Sequence, residues 1–487
     1  VIRPVRALAA VLVAGCAARA APSPLAPAVR RLAAEFDSAF AAPEYARASW
    51  GIVVQSLATG EVLYRRNAER LFMPASNQKI LTGAVALARL GPEFRWHTSV
   101  LSRGPVRGDT LAGDLVVIGR GDPTFSQRVA GGTDILAALR PWADSLRARG
   151  IHVIAGRVAG DASYFPDPPL GGGWSWDDLE YAYSAPVGAL QFNEGFAVLE
   201  VTPGEAGGPA GVALNPGLAP LRLFNQVRSV PAESASTARL TWTRALASDS
   251  VMLGGTIAAG RAPVRLSVAV PDPARYFEAA LTQVLREAGV TVLGTPPASS
   301  AHPPTPLFEW SSPPLRDVLP HFEKPSQNQI GEALLRTLGS LRGVASQDSG
   351  RAVMRETLAG WGVPEDAVVI VDGSGLSRYN YVAPEALARA LVAMARHPDG
   401  GWFVDALPVA GVDGTLSSRM RGTAAEGNAR AKTGSIANTR NISGYVTTRD
   451  GERLVFVLLA NHFTSPASVP TALQDRLVER LANFSRH

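Results

Sequence analysis

Apolar and polar positions alternate with a period near 3.6 in some stretches of the chain and near 2 in others, and the two patterns come in an uneven order. Residues 29–40 read as a helix. Residues 51–57 and 61–66, separated by Ala58-Thr59-Gly60, read as a strand hairpin. The run 80–90, rich in Ala, Leu and Val and stopped by Gly91-Pro92, predicts a buried helix whose start suits Pro74 and Ala75. Short strand-like runs follow at 115–118, 196–201, 239–242 and 264–270 between Gly/Pro-rich turns, with 134–149 the clearest helix among them. Helical patterns then return at 273–288, 315–322, 329–340 and 384–396. The chain ends with two strand-like runs, 442–448 and 453–461, and an amphipathic helix over 466–484.

At 487 residues the chain exceeds one ordinary domain, and two or three are expected. With 46% hydrophobic and 18% charged residues it has the composition of a soluble globular protein. The formal charge of +5 is modest, and no basic block with interleaved aromatics points to nucleic acid. Arg3 and Arg6 precede an apolar run over 7–13 that is too short to span a bilayer, so residues 1–20 read as a signal peptide and the protein as exported to the periplasm or cell envelope. Cys16 is the sole cysteine, which excludes an intrachain disulfide. Two cleavage readings stay open. Cys16 follows Val13-Ala14-Gly15 as in a lipoprotein box, which would make it a lipid anchor, and Ala18-Arg19-Ala20 suits ordinary cleavage.

The lysines change the picture. The chain holds three, Lys79, Lys324 and Lys432, among 47 cationic residues. Lysine differs from arginine in that burial can strip its proton, so a chain that avoids lysine elsewhere retains it where that difference matters. Lys79 lies in Ser76-x-x-Lys79, where the two side chains share one face of a first helical turn and a neutral lysine could take the serine's proton. Lys324 stands just before Ser326-Gln327-Asn328, and Lys432 opens Lys432-Thr433-Gly434. There is no Gly-x-Ser-x-Gly elbow and no His or Cys cluster of metal-binding spacing, so neither a metal nor another cofactor is implied.

These three motifs, in this order, resemble those of the penicillin-recognising serine enzymes. Ser76 and Ser326 lie 250 residues apart (326 minus 76), so residues from about 98 to 270 are expected to form one or more inserted, mostly β domains. With this spacer the chain is similar to the class C low-molecular-mass penicillin-binding proteins, D-alanyl-D-alanine carboxypeptidases and endopeptidases with a split transpeptidase-like domain. Gly121-Asp122-Pro123-Thr124, the stretch 372–378 and Asp413-Gly414-Thr415 are family-like too.

The resemblance implies an α+β fold, with an antiparallel sheet covered by helices built from 26–97 and 271–487 and interrupted by 98–270. It implies stem peptides of peptidoglycan and β-lactams as partners. Ser76 would be the nucleophile, Lys79 its base and Ser326 a proton shuttle. Asn328 would hold Lys79 and the substrate amide. Lys432 and Thr433 would bind the terminal carboxylate, and Gly434-Ser435 would line the substrate edge, with the N–H groups of Ser76 and Ser435 as the oxyanion hole. Arg378 and Asp161 are the candidates for a subsite that binds the stem-peptide side chain. Gln327 departs from the Asp usual between Ser and Asn, in a position expected to point away from substrate. A β-lactamase and a catalytically silent envelope scaffold are the alternatives, and oligomeric state is not legible.

Overall fold

The computed structural model describes residues 26–294 and 303–487. The signal-peptide reading and Cys16 lie outside the described residues.

Both ends of the chain build one sheet. Its five strands run in the order Val62–Arg66, Ser49–Ser56, Arg453–Asn461, Thr439–Thr447, Arg430–Ile436, each pair antiparallel. Among the described residues, none between the second and third of these in sequence contributes to it. Strict alternation along the inner strands gives the sheet two apolar faces. Ile52, Val54, Phe456 and Leu458 point to one side, where the terminal helices Pro27–Phe40 and Ser468–Ala482 cover them. Val53, Val455, Val457 and Leu459 point to the other, against helices that include Gln78–Leu90, Asn328–Ser340 and Pro384–Arg396. Helix Gln78–Leu90 is buried on every side from Gln78 to Leu87, so it crosses the middle of this layer. It is an α+β arrangement.

The residues between the two halves of this sheet form cores of their own. Strands Thr305–Ser311, His97–Arg103, Asp114–Ile118 and Val158–Asp161 form one sheet. Its core sets Trp142 edge-on against Phe125, with Phe277 close by. A smaller β unit gathers Leu199, Val201, Val251, Leu253 and Ile257 around strand Ser250–Ala258.

Two details differ from the sequence reading. The helix expected over 134–149 is a 3-10 turn, Ala137–Leu139, followed by Arg140–Arg147, because Pro141 has no N–H to donate and suits the first turn of a helix. More consequential is the second boundary. Helix Pro273–Glu287 buries Tyr276, Phe277 and Leu281 in the Trp142 core, and strand Thr305–Ser311 pairs with His97–Arg103. We therefore propose that the insert runs from about residue 97 to 311 rather than 98–270, with the catalytic portion resuming at the helix Leu315–Glu323. Pairing between strands about two hundred residues apart leaves no local signal.

Candidate active site

Ser76 sits in a 3-10 turn, Ala75–Asn77, that leads into helix Gln78–Leu90, rather than in the α-helix itself. Ala75 holds φ at +46°, an uncommon left-handed conformation for a residue with a side chain, and polar groups on the sheet hold the turn in place. Asn441 donates to the carbonyls of Met73 (3.0 Å) and Pro74 (2.7 Å), Asn461 accepts from the N–H of Met73 (2.7 Å), and Asn77 donates to Ser443 Oγ (2.6 Å). Gly434 lets the lysine strand close on this turn, since a Cβ there would lie 2.6 Å from the Pro74 carbonyl oxygen.

One helical turn on, Lys79 is fully buried. Its Nζ lies 3.0 Å from Ser76 Oγ and 2.6 Å from both Asn328 Oδ1 and the Ser374 carbonyl. Burial, and next the positive charge of Lys432, push its pKa down to about 7, against the pull of Glu323, Asp372 and Glu332. Near neutrality a large share of Lys79 is therefore an unprotonated amine within hydrogen-bond reach of a serine hydroxyl. Asn328 is oriented in turn by donating to the Tyr183 carbonyl at 2.6 Å.

On the other side, Lys432 Nζ lies 2.8 Å from Ser326 Oγ and 3.0 Å from the Thr433 carbonyl. It too is fully buried, which lowers its pKa, while Glu323 raises it. Ser326 has φ +63°, a strained conformation held where the helix Leu315–Glu323 ends and Gln327 caps the next. The cap settles where Gln327 points: its Oε1 accepts from Ile330 N–H and its Nε2 donates to Glu194 of the insert at 2.9 Å. Thr433 Oγ1 donates to Thr415 Oγ1 at 2.7 Å, and the turn behind it is tied to Lys324, which donates to Asp413 (2.6 Å) and the Leu407 carbonyl (3.2 Å). Lys324 braces the site from outside.

The third wall is the stretch 372–378. Buried Asp372 accepts from the N–H groups of Gly375 and Ser377, from Asn380 Nδ2 and from Trp174 Nε1. Glu332 accepts from Gly373 and Ser374 N–H, 3.0 Å each, and pairs with buried Arg336 at 3.2 Å. The carbonyl that receives Lys79 is thus set by two carboxylates that are themselves saturated.

Between these walls opens a cavity of about 360 Å³ lined by Ser76, Ser326, Asn328, Arg378, Ser435, Asp178 and Tyr183 among others. Arg378 is one of the lining residues. Asp161 is not: it ends a strand of the insert's sheet, pairs with Ile118, and accepts from Ser163 N–H at 2.9 Å. The acidic group in the cavity is Asp178, whose carboxylate accepts from Tyr183 Oη at 2.6 Å. Sequence reasoning missed Asp178, Tyr183, Asn441 and Asn461. The asparagines left a trace, since a polar residue inside an otherwise apolar strand is costly unless paired.

The chain is similar to known proteins over most of its length. The model of the D-Ala-D-Ala carboxypeptidase 3 (S13) family matches residues 32–484. A D-alanyl-D-alanine carboxypeptidase of Actinomadura sp. (strain R39) is 34% identical over 470 residues, 93% of this chain and 85% of that one. The D-alanyl-D-alanine carboxypeptidase DacB of Haemophilus influenzae is 28% identical over 429 residues, 85% of this chain and 86% of that one. The crystal structure of penicillin binding protein 4 (dacB) from Haemophilus influenzae superposes with a TM-score of 0.78 at 26% identity, covering 94% of this chain and 99% of that one. A second structure of that protein, in complex with a β-lactam, gives 0.73 at 25% identity, covering 92% and 97%. The chain belongs to the D-Ala-D-Ala carboxypeptidase 3 (S13) family of serine peptidases.

Proposed function

We propose that the protein is a serine D-alanyl-D-alanine carboxypeptidase that cleaves the terminal D-alanine from peptidoglycan stem peptides in the cell envelope, through an ester on Ser76, and that β-lactams acylate the same oxygen. The observation that carries the reading is the 3.0 Å contact between a buried, weakly basic Lys79 and Ser76, with the Lys432–Ser326 pair across one cavity.

Ser76 Oγ attacks the carbonyl of the penultimate D-alanine as its proton passes to Lys79 Nζ. The developing oxyanion is met by the N–H groups of Ser76 and Ser435. Ser326 gives its proton to the departing amine and takes up the one Lys79 had accepted, so that Lys79 is neutral again as the C–N bond breaks and D-alanine leaves. Lys432 and Thr433 hold the terminal carboxylate until then. Water then attacks the ester, returning Ser76 Oγ–H and releasing the shortened peptide. Arg378 and Asp178 flank the place of the stem-peptide side chain, with opposite charges suited to a zwitterionic end group.

Intact-protein mass after incubation with benzylpenicillin is expected to rise by one adduct, and Ser76→Ala to abolish it. An adduct that survives Ser76→Ala overturns the assignment. Mass spectrometry of muropeptides treated with the purified protein separates loss of a terminal D-alanine from opening of a cross-link. Release of D-alanine is the expected product.

A further inference from the structure

Glu323 is the last residue of helix Leu315–Glu323, three positions before Ser326. It is completely buried, and neither carboxylate oxygen has a hydrogen-bond partner among the described residues. Its backbone carbonyl accepts from Ser326 N–H at 3.2 Å, so the residue is fixed to the turn that presents that serine. The side chain presses on the helix that carries Ser76 and Lys79: its Oε1 would lie 2.6 Å from a Cβ placed on Gly83, one turn beyond Lys79. A side chain there would have to displace the carboxylate from this position.

A buried carboxylate without hydrogen bonds is expensive, and such a group survives where a nearby charge compensates it. The charges facing Glu323 are Lys432 from the strand and Lys79 from the helix. Burial pushes its carboxyl pKa up and the two lysines pull it down, Lys432 more strongly. Lys79 also faces Asp372 and Glu332, but Asp372 is saturated by its own loop and Glu332 by Arg336 and two N–H groups. Lys324, next in sequence, turns away to Asp413.

The proposed chemistry needs two neighbouring buried lysines in opposite states, Lys79 neutral to take a proton and Lys432 charged to hold a carboxylate. Two buried cations alone would each drive the other toward deprotonation, without choosing between them. We propose that Glu323 is a buried positioning residue of the acyl-transfer site, its carboxylate supplying the counter-charge that keeps Lys432 cationic while Lys79 gives up its proton. With Glu323 ionised, Lys432 charged and Lys79 neutral, these three groups sum to zero, the arrangement that costs a dry site least.

This rests on the reading of Lys79 as base and Lys432 as carboxylate-binding cation. The test is the rate at which a fluorescent penicillin acylates native protein and Glu323→Gln across pH 5 to pH 10, with thermal melting to confirm folding. Where native Glu323 is ionised, removing its negative charge lowers the pKa of both lysines, so the alkaline limb moves to lower pH by about one unit. The variant is expected to match the native enzyme well down the acid limb, where burial has pushed the Glu323 carboxyl up to about 7 and it is already neutral, and to acylate about tenfold slower on the alkaline limb. A packing defect would slow the reaction at every pH. If Glu323→Gln does not fold, Glu323→Leu removes the same charge without an unpaired amide and is measured in its place.

A superimposable profile in a folded variant overturns the proposal, as does failure of both variants to fold, which would make Glu323 a packing group. Acylation that persists in Ser76→Ala would instead overturn the reading of the site, so the two failures are distinguishable.

Discussion

Lys79 and Lys432 are both buried lysines, yet their neighbours ask different things of them. Lys79 holds three acceptors, Ser76 Oγ, Asn328 Oδ1 and the Ser374 carbonyl, around a nitrogen whose pKa is pushed down to about 7. A guanidinium stays protonated at any usable pH, so Lys79→Arg is expected to lower acylation by about two to four powers of ten, the range of a general-base contribution. Lys432 serves as a cation, which arginine can replace with its planar fork. Lys432→Arg is expected to retain more acylation than Lys432→Ala, measured as the penicillin acylation rate on folded variants. Because a base acts only when unprotonated and burial lowers the pKa of Lys79, the native rate is expected to climb as pH rises to about 7 and to fall again only where Lys432 gives up its proton. A rate that is flat between pH 5 and pH 8 would contradict that role. The rarity of lysine made these positions legible. Glu323 and Asp178 were not, because acidic residues are common in the chain and only their burial and surroundings distinguish them.

Glycines set how closely the elements around Ser76 approach. Gly375, at φ +84°, would place a Cβ 1.8 Å from the Ala75 carbonyl oxygen, and Gly434 would meet Pro74 at 2.6 Å. Gly434→Ala is therefore expected to push the lysine strand off the Ser76 turn, costing about 1–3 kcal/mol in urea unfolding and a larger share of the acylation rate than of stability. Loss of stability with an unchanged rate would show that the turn is held without that contact. Much of this layer could be read in advance. Helix Pro384–Arg396 begins and ends where its periodicity does, and the hairpin and terminal strands fall within a few residues of expectation. Such elements are fixed by local alternation and by proline or glycine at their ends. The 3-10 turn at Ser76 escaped because it depends on asparagines from strands more than 360 residues away.

Across the molecule, several contacts from the insert land on groups near the chemistry. The Tyr183 carbonyl receives Asn328, the Ala182 and Ala185 carbonyls receive Gln329, and Trp174 donates to Asp372. Trp174→Phe keeps the ring and removes one of four donors to a buried carboxylate, so it is expected to cost about 1–3 kcal/mol. The accompanying fall in acylation would show that the insert steadies the 372–378 wall. An unchanged acylation rate would make the insert a passive wall.

The sheet that joins residues 49–66 to residues 430–461 also fixes when the enzyme comes into being. A growing chain carries Ser76 and Lys79 for more than three hundred residues before the strand bearing Lys432 exists. Until then Met73 and Pro74 lack Asn441 and Asn461, and Ser326 lacks its lysine. The nucleophile is thus synthesised early but armed last, so an unfinished chain has no complete site with which to cut a peptide or for an antibiotic to poison.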